Sequence, residues 1–186
     1  MDDLVRQAMA KWPNVPDCFG WLALDARGQW WMRDDRTQAQ GAFQSGVPGA
    51  RGSVLRHDKL IDFIQRNYEA DAQGRWYFQN GPQRVFVELE STPLVWRLSP
   101  EGHATAHTGT TAPVLGALLD ESGLLYLHTA LGLGRVHTQD MHLAADLLER
   151  GCWPLEDCRA QDLPQRFAYV LSPQQAQAGQ VDLADH

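Results

Sequence analysis

Histidines are the residues in this chain whose types and spacing come nearest to known chemistry. His128, His137 and His142 fall within one strand–turn–helix stretch, with His103 and His107 a little upstream. Neutral imidazoles bind zinc when three or four ligands converge. If Leu124–His128 and Leu133–His137 form a hairpin, His128 and His137 lie near its opposite ends. His142 then follows on a helix. Neither H-E-x-x-H nor H-x-H occurs, so the spacing alone does not make a metal motif. The three are weak metal candidates, and hydrogen-bonded surface histidines are the plainer expectation. No cofactor is expected.

Arg56-His57-Asp58 begins a helix and is the second candidate. A helix N-terminus offers unpaired N–H groups to an anion, and arginine adds a fork of donors. The plainer alternative pairs Arg56 with Glu88 or Glu90 and makes Asp58 the cap. A small-molecule or anion site would combine Arg56 with Trp76, Tyr77 and Arg84, the aromatic and basic residues of nearby strands. Nucleophilic chemistry has little to stand on. There is no G-x-S-x-G, and Ser45 and Ser53 lie in loop contexts with no base assigned. Cys18 follows Asp17 without an assignable histidine. Gly132-x-Gly134 lacks the third glycine and the βαβ setting of a dinucleotide loop.

Seven tryptophans in 186 residues make the chain tryptophan-rich. Trp21, Trp30, Trp31, Trp76 and Trp96 fall on predicted strands, and alternation sends Trp30 and Trp31 to opposite faces. One of such a pair points away from the main core. An outward tryptophan is a natural anchor at an interface. It is equally well placed under a covering helix or loop.

Composition narrows the classes. The chain is 44% hydrophobic and 21% charged, which is an ordinary globular balance. Its net charge is −7 and its 16 basic residues are scattered. Phosphate binding wants a basic stripe, so neither nucleic acid nor an anionic membrane is an expected partner. No apolar run reaches the length of a spanning helix. Met1-Asp2-Asp3-Leu4 does not resemble a signal peptide, and a cytoplasmic location is expected. Cys18, Cys152 and Cys158 are too few for a disulfide framework, and the C-x5-C spacing is wide for a zinc hairpin.

These residues need elements to hold them. Apolar spacing predicts a helix over Asp2–Trp12 and another over Val54–Tyr68, with Leu60, Ile61, Ile64 and Tyr68 as its stripe. Phe19–Met32 reads as a hairpin through Asp25-Ala26-Arg27-Gly28. That turn is nearly repeated at Asp71-Ala72-Gln73-Gly74 and echoed at Asp120-Glu121-Ser122-Gly123, which raises an internal duplication. Trp76–Phe78, Arg84–Leu89 and Leu94–Leu98 predict an antiparallel meander. Thr37–Ser53 reads as a long surface loop, and Glu101–Pro113 as a hairpin arm. Thr138 is placed to cap a helix over Gln139–Arg150. Phe167–Leu171 is a last predicted strand. The expectation is an α+β fold, with antiparallel hairpins in one or two sheets and two or three packed helices. It forms a single compact domain over 1–172, with halves 1–98 and 99–172, and residues 173–186 fray.

The order of these parts resembles small proteobacterial proteins grouped only as domains of unknown function. The motifs that carry the likeness are a G-x-[LI]-x-[LI]-x-x-x-G-x-W hairpin at Gly20–Trp30 and an Arg-led helix at Arg56–Leu60. A G-x-[WY]-[YF] strand at Gly74–Tyr77, an R/K-V-x-V-E strand at Arg84–Glu88 and a strand–helix unit over Leu125–Leu148 follow. The long 37–53 segment and Gln83, where relatives tend to carry an acid, are departures. The resemblance implies an α+β fold and supplies no activity. Three functions remain in view: a non-enzymatic protein-interaction module first, then a small-molecule or anion binder using Arg56, then a metal-assisted hydrolase. The expected partner is accordingly a protein or a small molecule.

Overall fold

The structure, a computed structural model, describes residues 1–184, with side chains through Gln180. No described helix is long and apolar enough to cross a membrane. The fold is α+β and divides into two compact units, at different limits from the halves expected. Unit 1 comprises Met1–Asp25, Gln29–Glu90 and the segment from Tyr169 onward, and unit 2 comprises Ala26–Gly28 and Ser91–Ala168.

Unit 1 is built on six strands: β1 (Cys18–Leu24), β2 (Trp30–Met32), β3 (Ser53–Val54), β4 (Tyr68–Ala70), β5 (Trp76–Asn80) and β6 (Gln83–Leu89). They lie in the order β3-β2-β1-β6-β5-β4. All neighbours are antiparallel except β1 and β6, which run parallel with Leu22 opposite Val87. The helices are α1 (Asp3–Lys11), α2 (Asp35–Ala39), α3 (Asp58–Arg66) and α6 (Pro173–Ala184). Of the expected α3 stripe, Ile64 is buried and Ile61 half-buried, while Leu60 is exposed and Tyr68 falls outside the helix. Its cap is His57, whose Nδ1 accepts from the Leu60 amide at 3.3 Å, rather than Asp58. The helix is shorter than predicted because Val54 and Tyr68 are taken into strands β3 and β4.

Unit 2 contains β7 (Leu94–Leu98), β8 (Ala104–Ala106), β9 (Thr111–Ala112), β10 (Val114–Leu119), β11 (Leu125–Thr129), β12 (Gly132–Val136) and β13 (Leu155–Asp157). Their order is β13-β10-β11-β12-β7-β8-β9. Parallel pairings of β12 with β7 and of β10 with β13 make this sheet mixed too. Two helices, α4 (Met141–Glu149) and α5 (Leu163–Arg166), belong to it. Gly134 leaves room for the Trp96 indole, which a Cβ there would overlap. The indole Nε1 then donates to the Leu127 carbonyl at 3.1 Å.

The three Asp-x-x-Gly turns are built alike. In each, an aspartate oxygen accepts an amide four residues on, from Gln29 to Asp25, Arg75 to Asp71 and Leu124 to Asp120, all at 2.9 Å. Gly28, Gly74 and Gly123 supply positive φ values of 83°, 77° and 78°. The second carboxylate oxygen then holds a side chain in or just before the following strand: Trp31 Nε1, Arg75 Nε and Tyr126 Oη respectively.

Four expectations need correction. The predicted meander stops after β6, because β7 joins the other sheet. Thr92 Oγ1 donates to Leu94 O at 2.6 Å and accepts the Arg135 amide at 2.9 Å, so Ser91-Thr92-Pro93 commits the chain to β12 instead of a hairpin. The Thr37–Ser53 segment is not a bare loop. It follows the start of α2, includes a 3-10 turn at Phe43–Ser45 and buries Phe43 and Ala50. Phe167–Leu171 is not a strand, since Ala168 takes φ 53° and breaks the extended run. The residues expected to fray form α6 as far as Ala184, while Asp185 and His186 lie outside the described residues.

Two buried charges explain why 37–53 and α6 are ordered. Arg33 is 1% exposed. Its guanidinium donates to Ala50 O at 2.8 Å, Gly20 O at 3.1 Å and Gly41 O at 2.6 Å. Glu88 is fully buried at the start of α6. Ser172 Oγ donates to it at 2.5 Å and the Gln174 amide at 3.3 Å. Burial pushes the Glu88 carboxyl up, against the lowering pull of Ser172, Gln174 and the Arg33 charge. Burial pulls Arg33 down, against the raising pull of Glu88.

Arg33→Ala strands three buried carbonyls and should cost about 3 kcal/mol, read as a lower urea midpoint. For Glu88 the native state binds the proton more tightly than the unfolded chain. Its contribution to stability therefore falls as pH rises from the ordinary carboxylate range through the raised native value. Glu88→Gln should remove that slope. Melting temperatures of the two proteins, compared from about pH 4 to about pH 8, should diverge in the variant's favour as pH rises.

Candidate functional site

Strand alternation separates the residues expected to share a ligand site. Tyr77 pairs with Phe86 and Gln79 with Arg84 across β5–β6, so Tyr77, Arg84 and Phe86 share one face. Trp76 takes the other face, where its ring lies 4.8 Å from that of Tyr68. Arg84 is already engaged: it forms a two-pronged pair with Asp17 at 2.9 and 2.7 Å. Its guanidinium also lies 5.2 Å from the Phe86 ring. The Tyr77 hydroxyl donates to Glu69 at 2.7 Å, and burial, reinforced by that carboxylate, pushes its pKa far up. Arg56 is exposed at the start of α3 and forms no ion pair among the described residues. Its expected carboxylates are used elsewhere: Glu90 pairs with Arg51 at 3.0 Å, and Glu88 meets Ser172. These four residues therefore do not assemble into one pocket.

Tryptophan alternation behaves as expected, with Trp30 1% exposed and Trp31 on the opposite face. Trp31 does not reach out for a partner, however. The Arg51 guanidinium covers it at 4.6 Å and packs on Phe43 at 4.8 Å. Phe43 comes from the 37–53 segment, so that segment is the covering layer.

The histidines also go separate ways. His128 packs against Phe167 at a tilt, ring centroids 4.9 Å apart and planes 56° apart. His137 Nδ1 accepts the Gln139 amide at 3.1 Å and caps the turn before α4. His142 is exposed. Among the described residues no three His, Cys, Asp or Glu side chains are grouped to hold a metal ion. His107 is different in kind: its Nδ1 accepts the Val95 amide at 3.2 Å and its Nε2 is buried. Burial holds its pKa down at about 3. The unfolded imidazole has the ordinary value, so stability from this group is lost as pH falls from about 6.5 toward about 3. In an NMR titration the His107 ring should stay neutral well below the ordinary imidazole midpoint of about 6.5.

Strands β10 and β13 hold the concave surface that the sequence did not reveal. A groove of about 460 Å³ runs beside them, bounded by Leu115, His128, Pro154, Leu155, Arg166 and Phe167. Leu115 is 57% and Leu155 46% exposed, both large apolar side chains left in solvent. Arg166 pairs with Glu156 and lies 5.2 Å from the Phe167 ring, which fixes one wall. Next to it, sharing Arg166, is a more polar cavity of about 590 Å³ lined by Asp120, Glu121, Asp157, Arg159 and Asp162 among others. The chain signal for β10 was present in the apolar run Val114–Leu119 between Pro113 and Asp120. The three residues of β13 carry no periodicity of their own.

The comparisons with known proteins bear on family and not on activity. No curated protein matches the chain. Among solved structures, a DUF1285 family protein from Silicibacter pomeroyi is similar at 15% identity, covering 79% of this chain and 85% of that one, with a TM-score of 0.48. A DUF1285 family protein from Shewanella baltica is similar at 15% identity, covering 68% and 91%, with a TM-score of 0.44. The model of the family DUF2944, described as "Protein of unknown function (DUF2946)", matches residues 1–174. With nearly its whole length matched, the chain belongs to that family of unknown function.

Proposed function

We propose that this protein is a non-catalytic protein-interaction module that docks its partner on unit 2, along the groove beside β10 and β13. The observation that carries the reading is the pair of exposed leucines, Leu115 and Leu155, at the rim of a groove walled by Phe167 and His128. Large apolar side chains beside a concave surface contribute binding free energy when a partner excludes water from them. The candidate charges of unit 1 support the same ranking from the other side. Arg84 and Tyr77 are each tied to a carboxylate, which leaves them little to offer a small anion. The reading places the protein in the cytoplasm, where thiols stay reduced; Cys18, Cys152 and Cys158 are all free.

The test is a peptide-display selection on immobilised wild-type protein, followed by affinity measurements on the Leu115→Asn/Leu155→Asn double variant. Both positions are exposed, so the variant should keep its melting temperature. Selected peptides should bind it at least about tenfold more weakly. Peptides that bind both proteins equally would contradict the assignment, as would a selection that enriches nothing.

A further inference from the structure

We infer that the partner segment is an extended, basic peptide that adds to the sheet of unit 2 as a strand along the outer edge of β13. The inference rests on the docking reading above and specifies its occupant. It starts from the hydrogen-bond pattern. Pro154 O accepts the Ala117 amide and the Cys158 amide donates to Leu119 O, both at 2.9 Å. With Ala117 opposite Leu155 and Leu119 opposite Asp157 in a parallel ladder, the Glu156 N–H and C=O also turn toward β10. The N–H and C=O groups of Leu155 and Asp157 therefore turn the other way. β13 ends its sheet, and no described strand lies on its outer side. All three of its residues are exposed. An open edge of this kind is a template for strand addition.

The side chains say which strand fits. Residues of an added strand alternate between the two faces of the sheet. On the Glu156 face they meet Phe167 and a carboxylate already neutralised by Arg166. That face takes apolar side chains. On the opposite face they meet Leu155 and then Asp157, with Glu121 and Asp162 lining the adjoining cavity. The cavity holds Asp120, Glu121, Asp157 and Asp162 against Arg159 and Arg166, and Arg166 is already paired. Asp157 and Asp162 form no ion pair among the described residues. Basic side chains fit this face, and a second acidic edge does not. Two copies of β13 would bring like charges together, which argues against self-pairing and for a partner of opposite charge.

Three labelled peptides separate the possibilities by fluorescence anisotropy with the full chain. One alternates valine with lysine, the second alternates valine with glutamate, and the third is the lysine peptide with alternate backbone amides N-methylated. The lysine peptide should bind. The glutamate and N-methylated peptides should each bind at least about tenfold more weakly. Asp157→Lys should weaken the lysine peptide and strengthen the glutamate one. Leu115→Asn/Leu155→Asn, which removes the apolar surface without adding charge, should weaken the lysine peptide at unchanged melting temperature. An N-methylated peptide that binds as well as its parent would overturn strand addition and leave the groove reading standing. Equal binding of the lysine and glutamate peptides would overturn the basic preference alone. A lysine peptide that binds the double leucine variant as tightly as wild type is held by net charge only, and that result would overturn both readings. Absence of binding by all three would also overturn both.

Discussion

Unit 1 depends on keeping the buried Arg33 guanidinium supplied with acceptors. A charge removed from water is costly unless every donor finds a partner. Here the partners are backbone carbonyls drawn from β1 and from the segment after α2, namely Gly20, Gly41 and Ala50. One side chain thereby orders a stretch whose Gln, Gly, Ala and Ser content has no periodicity. The same stretch contributes Phe43 and Arg51, which cover the outward face of Trp31. Glu88 completes the arrangement from β6. It lies within reach of the Arg33 charge and receives donors from the first residues of α6. Those hydrogen bonds, added to packing, fix the start of α6 against β6.

Unit 2 resolves its polar groups differently. Asp120 holds the β10–β11 turn and the Tyr126 hydroxyl locally, and Asp140 receives Arg97 from 43 residues away at 2.6 Å. The apolar interior is closed by Trp96, Leu127, Leu133 and Leu147. What is left open is an edge and a groove. Leu115 and Leu155 are not needed to complete the core, and β13 is held through one side only. An element kept short, charged and half-paired is at little risk of associating with copies of itself. It remains available to a strand of complementary charge.

Local features were legible and long-range ones were not. Each Asp-x-x-Gly turn could be read from four residues, because the carboxylate, the positive-φ glycine and the strand that follows are consecutive. The β11–β12 hairpin was legible for the same reason, and so was helix α3, though not its full stripe. The exit of β7 into a second sheet depends on Thr92 meeting Arg135, 43 residues away. The order of 37–53 depends on Arg33, and nothing in the spacing of an arginine says that its acceptors are carbonyls. The candidate site suffered most. Alternation alone would have parted Trp76 from Tyr77, since neighbours on a strand face opposite ways. The groove is built on β13, whose three exposed residues form a strand only because β10 offers its edge. The metal candidates His128, His137 and His142 sit in a tilted ring contact, a cap and solvent.

The central claim is that β13 is paired on one side and open on the other, and amide hydrogen exchange read residue by residue tests it most directly. In the free protein the Glu156 and Cys158 amides should be protected while those of Leu155 and Asp157 exchange rapidly. Saturation with the valine–lysine peptide should protect Leu155 and Asp157 and leave the other two unchanged. Leu155 and Asp157 amides already protected in the free protein, or still unprotected in the peptide complex, would contradict the account.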